Sequence, residues 1–226
     1  MFRSGARRCV KRTAASILAM LIGMVGVGYG GEEVIILSKG KTQTLAEWDK
    51  PVHFGTGIWE VVDDAENQAL KLRTESSSFA LEKTITVDLK QTPYLQWEWK
   101  VTIPPAGGDF SSPDTDDQAA QLLVVFPKTF FERRKVISYI WDPTAPKGTV
   151  AAAAGPIYLN VKAIVCESGA SDIGNWLIEK RNVIEDYRAL FGEIPDRAVA
   201  IRMQINSQHT QSVAEVFWRT IRFVDE

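Results

Sequence analysis

Residues 93–101, Pro93-Tyr94-Leu95-Gln96-Trp97-Glu98-Trp99-Lys100-Val101, constrain the fold more than any other stretch of the chain. Leu95, Trp97, Trp99 and Val101 alternate with Gln96, Glu98 and Lys100. Successive side chains of a strand point to opposite faces, so a strand gathers all four large apolar groups on one side. One face buried and one face wet is the signature of an antiparallel sheet laid on a core. The same period recurs in Leu70 and Leu72, in Phe79 and Leu81, and in Val199, Ile201, Met203 and Ile205. Gln121–Phe126 and Val136–Trp141 are instead nearly continuous apolar runs, which read as central strands buried on both faces. Ile157–Glu167 is a further long strand region, and Ser212–Val224 changes phase near Trp218, which predicts a bulge. About ten strands at intervals of a dozen residues or so favour a sandwich or a barrel.

One helix interrupts the strands. Asn182 can cap it and Glu185 follows three residues later, an Asn version of the capping box. Val183, Tyr187, Leu190 and Phe191 fall at helical spacing and Gly192 supplies the stop, so a short helix is expected near residues 183–191. Thr144–Pro156, with an Ala run between two glycines, reads as the most mobile loop.

The N-terminus carries an address. Arg3, Arg7, Arg8, Lys11 and Arg12 precede an apolar run from Ala14 to Val27, which exits through Gly28-Tyr29-Gly30-Gly31. This is the build of an export signal, expected over residues 1–30, with one β-domain over residues 31–226 in the periplasm or outside a bacterial cell. The run falls short of the roughly 20 apolar residues of a membrane-spanning helix, so no span is expected once the leader is removed. Without the leader, 21 basic side chains face 28 acidic ones, a net charge of −7. That balance excludes nucleic acid as a partner, since affinity there comes largely from Lys and Arg on phosphates. Cys9 goes with the leader, leaving Cys166 as a lone thiol in a strand-like stretch, a buried packing residue. The domain is expected to stand on its core without a disulfide.

Few residues point to chemistry. The loop 104–118 holds Asp109, Asp114, Asp116 and Asp117 with Gly107 and Gly108. Carboxylates clustered on a loop can supply the oxygen ligands of Ca2+, although the spacing is not that of the helix-loop-helix site. The alternative is a solvated turn whose Asp side chains bond local backbone amides. The seven Trp are either core or flat platforms for sugar rings. Trp141, at a strand end before Asp142 and the mobile loop, is the aromatic expected to face a ligand. The acids suspected of work on a glycan are Glu98, Glu167 and the Asp116-Asp117 pair. No nucleophile elbow, zinc spacing or phosphate-cradling glycine loop occurs, and His53 and His209 stand isolated.

Asp116-Asp117-Gln118-Ala119-Ala120, Tyr139-Ile140-Trp141 and Val165-Cys166-Glu167-Ser168-Gly169 resemble a bacterial secreted family, domain of unknown function three-zero-four-seven. The stretch from Trp176-Leu177-Ile178-Glu179-Lys180-Arg181-Asn182-Val183 to Leu190-Phe191-Gly192-Glu193 carries the resemblance furthest, and residues 94–101 look like the family's central strand. The resemblance brings no catalytic residue with it. It implies a jelly-roll sandwich similar to galactose-binding modules, and by that analogy a sugar or polyol ligand.

The sequence thus reads as an all-β jelly-roll β-sandwich with one short helix. Its expected role is periplasmic binding or scaffolding without catalysis, with a carbohydrate-like ligand or other cell-envelope component as partner. The expected ligand contacts are Trp141, Asp142, Glu98 and Glu167, with no cofactor beyond a Ca2+ on the Asp loop. A glycan-active hydrolase with paired carboxylates and an envelope protein that binds another protein through a sheet edge are the alternatives.

Overall fold

The structure, a computed structural model, describes residues 32–38, 45–64, 67–128, 132–153 and 157–226. The export leader expected over residues 1–30 lies outside the described residues. The strands of the first half are β1 (Glu33–Leu37), β2 (Val52–Phe54), β3 (Gly57–Asp64), β4 (Asn67–Glu75), β5 (Ser78–Asp88), β6 (Tyr94–Ile103) and β7 (Ala120–Val125). Those of the second are β8 (Arg134–Asp142), β9 (Val150–Ala152), β10 (Leu159–Ser168), β11 (Leu177–Asn182), β12 (Arg197–Asn206) and β13 (Val213–Val224), with helix α1 (Val183–Phe191) after β11. None of the helices among the described residues is long and apolar enough to cross a membrane.

The strands form two sheets packed as a jelly-roll sandwich. One sheet runs β11-β6-β13-β4-β3, with β1 paired to β13 as a sixth strand. The other has seven strands in the order β2-β5-β12-β7-β8-β10-β9. Neighbours are antiparallel except β8 and β10, which run parallel. The phase change of the last strand is a register shift between Trp218 and Ile221 where β13 pairs with β6.

Between the sheets the aromatic side chains interlock. Trp97 and Trp99 meet edge to face at 5.4 Å, Trp99 lies 5.6 Å from Trp218 and 5.9 Å from Trp141, and Trp97 lies 5.1 Å from Tyr139. All five rings are fully buried. Each such pair adds about 0.5–1.5 kcal/mol beyond its area burial. The indole N–H groups of Trp97, Trp99 and Trp218 have no partner, a cost of about 1–3 kcal/mol each that this packing offsets. Cys166 is buried and free, and burial pushes its thiol far above the ordinary range.

Helix α1 begins and ends where its residues dictate. The Asn182 side chain accepts from the N–H groups of Ile184 and Glu185, and Gly192 closes the helix at φ 77°, a conformation natural only to glycine. Asp186 accepts from the Tyr139 hydroxyl at 2.9 Å and from Arg181, which pins the helix to the sandwich. Tyr187 packs 4.5 Å from Phe126. The segment expected to be a loop, 144–156, is in part a strand: β9 pairs with β10, and the Gly148 N–H donates to the Val165 carbonyl. Its small Ala side chains suit an edge strand while giving little alternation to read in the sequence.

Candidate functional site: a groove on the seven-stranded sheet

The strands β5, β12, β7, β8 and β10 lie side by side, and their pairing stacks side chains in rows across the sheet. One face supplies Leu122, Val124, Tyr139 and Trp141 to the core between the sheets. The other lines a groove of about 600 Å³, within the usual range for a small-molecule site.

The register builds the groove row by row. Ala200, Val125, Val136 and Val161 form an aliphatic row. Glu82, Arg202, Leu123, Ser138 and Ala163 form the next. Gln204, Gln121 and Ile140 follow, and the Ser78–Asn206 pair closes the sequence. The floor therefore grades from aliphatic at one end to amide-rich at the other. It is also charged on the β5–β12 side and small and apolar on the β8–β10 side. Tyr158, 63 % exposed, stands on the apolar side.

The amide end is a fixed network. Gln121 Nε2 donates to Gln118 Oε1 at 2.8 Å and to Asn206 Oδ1 at 2.7 Å, so its acceptor Oε1 is what Gln121 offers a ligand. Gln118 Nε2 donates to Asp116 Oδ1 at 2.8 Å, and Asn206 Nδ2 donates to the Asp116 carbonyl at 2.6 Å. Burial raises the Asp116 carboxyl, against the hydrogen bond from Gln118 that favours its charged form. Across the groove Glu82 is ion-paired to Arg202, whose Nε donates to it at 2.7 Å. Two buried groove atoms have no partner: Ser138 Oγ and Gln208 Oε1.

The residues singled out in the sequence meet different fates. Trp141 does not face a ligand. Its ring is fully buried against Trp99 and its indole N–H donates to the Gly169 carbonyl at 3.2 Å. Asp142 is equally buried and acts as a staple, accepting from the N–H groups of Phe110, Thr144 and Ala145. Glu98 is buried on the outward side of β6, on the other sheet, away from the groove. Glu167 is ion-paired to Lys147 and hydrogen-bonded to Glu179, beside β10 and outside the groove lining. Burial and the neighbouring Glu167 raise the Glu179 carboxyl to about 8.

The four loop carboxyls do not converge on a cation site. Asp109 accepts from the Ser111 hydroxyl and N–H, which hold its carboxyl below the usual range. Asp114 is exposed. Asp117 is fully buried and accepts from the Thr210 N–H and hydroxyl. His209 Nδ1 lies 3.2 Å from the second Asp117 oxygen. Among the described residues no group of three His, Cys, Asp or Glu side chains is arranged to hold a metal ion. The loop folds tightly on itself instead. A Cβ at Gly108 would sit 2.3 Å from the Asp117 carbonyl oxygen, so only glycine fits. Of the acids expected to matter, Asp116 alone reaches the groove.

The sequence matches the family described as "Protein of unknown function (DUF3047)" over residues 46–222. The chain belongs to this family. No curated protein matches it. Among solved structures it is similar to the family 30 carbohydrate-binding module of the cellulosomal cellulase Cel9D-Cel44B of Clostridium thermocellum. The identity is 12 % and the TM-score 0.51, over 86 % of this chain and 98 % of that one. It also overlaps the xyloglucanase domain of NopAA from Sinorhizobium fredii, at 11 % identity and TM-score 0.46, over 76 % and 92 % of the two chains. A third overlap is with the endoglucanase cel12A of Rhodothermus marinus, at 9 % identity and TM-score 0.45, over 85 % and 99 %. At these identities the likeness is one of fold.

Gln121, Ser138, Arg202 and Gln204, which build the groove, escape a reading of the sequence alone. Their local trace is small: Gln121 opens an apolar run and Ser138 interrupts one. A lone polar residue inside a strand buried on both faces marks the face that is not core.

Proposed function

We propose that this family member is a carbohydrate-binding domain of the cell envelope and that its site is the groove of the seven-stranded sheet. The observation that carries the reading is the groove floor itself, where neutral amides, a salt-bridged Arg and small aliphatic side chains share one recessed surface. Sugars present hydroxyls and apolar C–H faces together, and such a mixed surface answers both. The sandwich it shares with the carbohydrate-binding module supports the reading by analogy of fold. The basic leader with its apolar run supports a periplasmic or secreted location.

Binding without catalysis agrees with the state of the groove acids, since Glu82 is engaged by Arg202 and Asp116 by Gln118. One observation favours a hydrolase instead. Asp116, its carboxyl raised by burial, and Glu82, ion-paired to Arg202, share the same groove, and two carboxyls in different environments are what acid and base roles require. Reducing-sugar release that disappears in Glu82→Gln would establish that second reading.

The test is a glycan array probed with the exported protein and with Val161→Trp, which fills the groove from a half-buried position. The proposal expects a defined set of glycans bound by the wild type and lost in the variant. An array with no bound glycan, or binding that Val161→Trp leaves intact, would overturn it.

A further inference from the structure

The groove offers more than a mixed surface, and its polar atoms select among sugars. Ser138 is 2 % exposed and its Oγ has no partner, although it lies on the groove side of β8 with Leu123 and Ala163 beside it in the same row. A buried hydroxyl without a partner is uncommon and calls for an explanation. Gln121 lies diagonally across from it, opposite Ile140 on the same strand pair. The backbones of diagonal neighbours in an antiparallel pair are about 7–8 Å apart, so their side chains share one patch of the floor. Both N–H groups of Gln121 are spoken for by Gln118 and Asn206, so toward the groove it accepts. The floor thus holds a donor hydroxyl and a fixed acceptor at diagonal positions, and the gap proposed for a ligand is the groove above them, flanked by Ile140 and Leu123.

We propose that this gap takes the acetamido group of an N-acetylated aminosugar. This rests on the carbohydrate reading above and narrows it. An acetamido group carries both complements, a carbonyl acceptor and an N–H donor, on opposite edges of one planar unit. The acetamido carbonyl accepts from Ser138 Oγ, its N–H donates to Gln121 Oε1, and its methyl lies against Ala163 and Ile140. A ring hydroxyl in the same place would be stripped of water among aliphatic side chains with only part of its bonding restored. The aliphatic floor points the same way. None of the tryptophans lines the groove, whose aromatic members among the described residues are Phe110 and Tyr158. A plain glucan that relies on broad ring stacking finds little platform here, while a methyl group finds several neighbours.

Two β-1,4-linked tetrasaccharides that differ at C2 decide the matter. Chitotetraose carries an acetamido group there and cellotetraose a hydroxyl. Calorimetric titration of the wild type is expected to give at least tenfold tighter binding of chitotetraose. Ser138→Ala removes an unpartnered hydroxyl, so melting should stay the same or rise, while chitotetraose affinity falls about five- to tenfold. Equal affinity for the two sugars, tighter binding of cellotetraose, or an unchanged chitotetraose affinity in Ser138→Ala would overturn the acetamido assignment and leave a carbohydrate groove standing. Failure to bind either tetrasaccharide overturns the assignment as well, and the array then decides whether the broader reading falls with it.

Discussion

On the outward face of the six-stranded sheet, Asp64 Oδ2 accepts from Lys100 Nζ at 2.8 Å, from the Trp176 indole N–H at 2.7 Å and from Arg219 at 3.1 Å. Lys100 and Arg219 also stack on the Trp176 ring, at 5.0 and 3.9 Å from its centroid. Nearby, Glu215 accepts from Arg73 at 3.0 Å and from the Thr102 hydroxyl at 2.7 Å. Lys100 above all holds the Asp64 carboxyl below the usual range. The groove face of the seven-stranded sheet is built differently. Beside the Glu82–Arg202 pair and the Asp116 carboxyl it presents neutral amides and a hydroxyl, and Ser138 Oγ and Gln208 Oε1 are left without partners. On the six-stranded face Arg219 Nε and Arg222 Nε also lack partners, but each guanidinium is held through another nitrogen, Arg219 by Asp64 and Arg222 by Glu33 and Gln96. Charge pairs of this kind tie strands together, whereas the recessed face carries neutral amides and a hydroxyl on its floor. The two faces thus differ in chemistry as well as in shape, and it is on the recessed one that recognition is proposed.

The largest effect concerns the wall between the faces. Trp141→Ala should lower the unfolding free energy by about 3–5 kcal/mol in urea titration, as expected for a deleted core indole. A stable variant that had lost only glycan binding would return Trp141 to the site. On the structural face, Asp64→Ala leaves Lys100, Arg219 and the Trp176 N–H without their shared acceptor. We expect a loss of about 1–3 kcal/mol and an unchanged glycan titration. Weakened binding there would blur the contrast between the faces.

The edge between them carries a pH dependence. Glu179 holds its proton up to about 8 in the fold against an ordinary value of 4.5, so the folded state binds more protons than the unfolded state between those values. Stability is therefore fully present below the ordinary carboxylate range and is lost as pH rises through about 8. Glu179→Gln should flatten that decline, raising the melting temperature at pH 9 while leaving it nearly unchanged at pH 4. A pH profile parallel to the wild type would contradict the half-buried Glu167–Glu179 pair. The smallest effect is expected for Gln204→Ala, a half-buried groove residue. Stability should stay within about 0.5 kcal/mol while glycan affinity drops, read by melting and titration together. Equal affinity would remove Gln204 from the site.

Much of the scaffold is legible in the sequence because it depends on local period and local caps. The alternation of Leu95, Trp97, Trp99 and Val101 gives β6 and its buried face, and Asn182 and Gly192 bracket α1 as the helix signals require. The three-residue strands β2 and β9 are too short to show a period. In β11 the alternation of half-buried and exposed residues is carried by Leu, Glu and Arg and hardly shows in hydrophobicity. The site was largely illegible for another reason. Glu82, Arg202, Leu123, Ser138 and Ala163 become neighbours through the register of four strand pairs drawn from 121 positions of chain. Nothing local announces that register. The Asp loop left two readings open because carboxylates serving backbone amides and carboxylates serving a cation look alike in sequence, and only the directions of side chains such as Asp109 and Asp117 separate them.

The most direct measurement is amide shift mapping of the exported protein titrated with a glycan that the array selects. The account predicts saturable shifts concentrated in β7, β8, β10 and β12, with Gln121 and Ser138 among them, and a quiet six-stranded sheet around Lys100, Trp176 and Phe217. Shifts centred on the six-stranded sheet, with the groove strands unmoved, would contradict it.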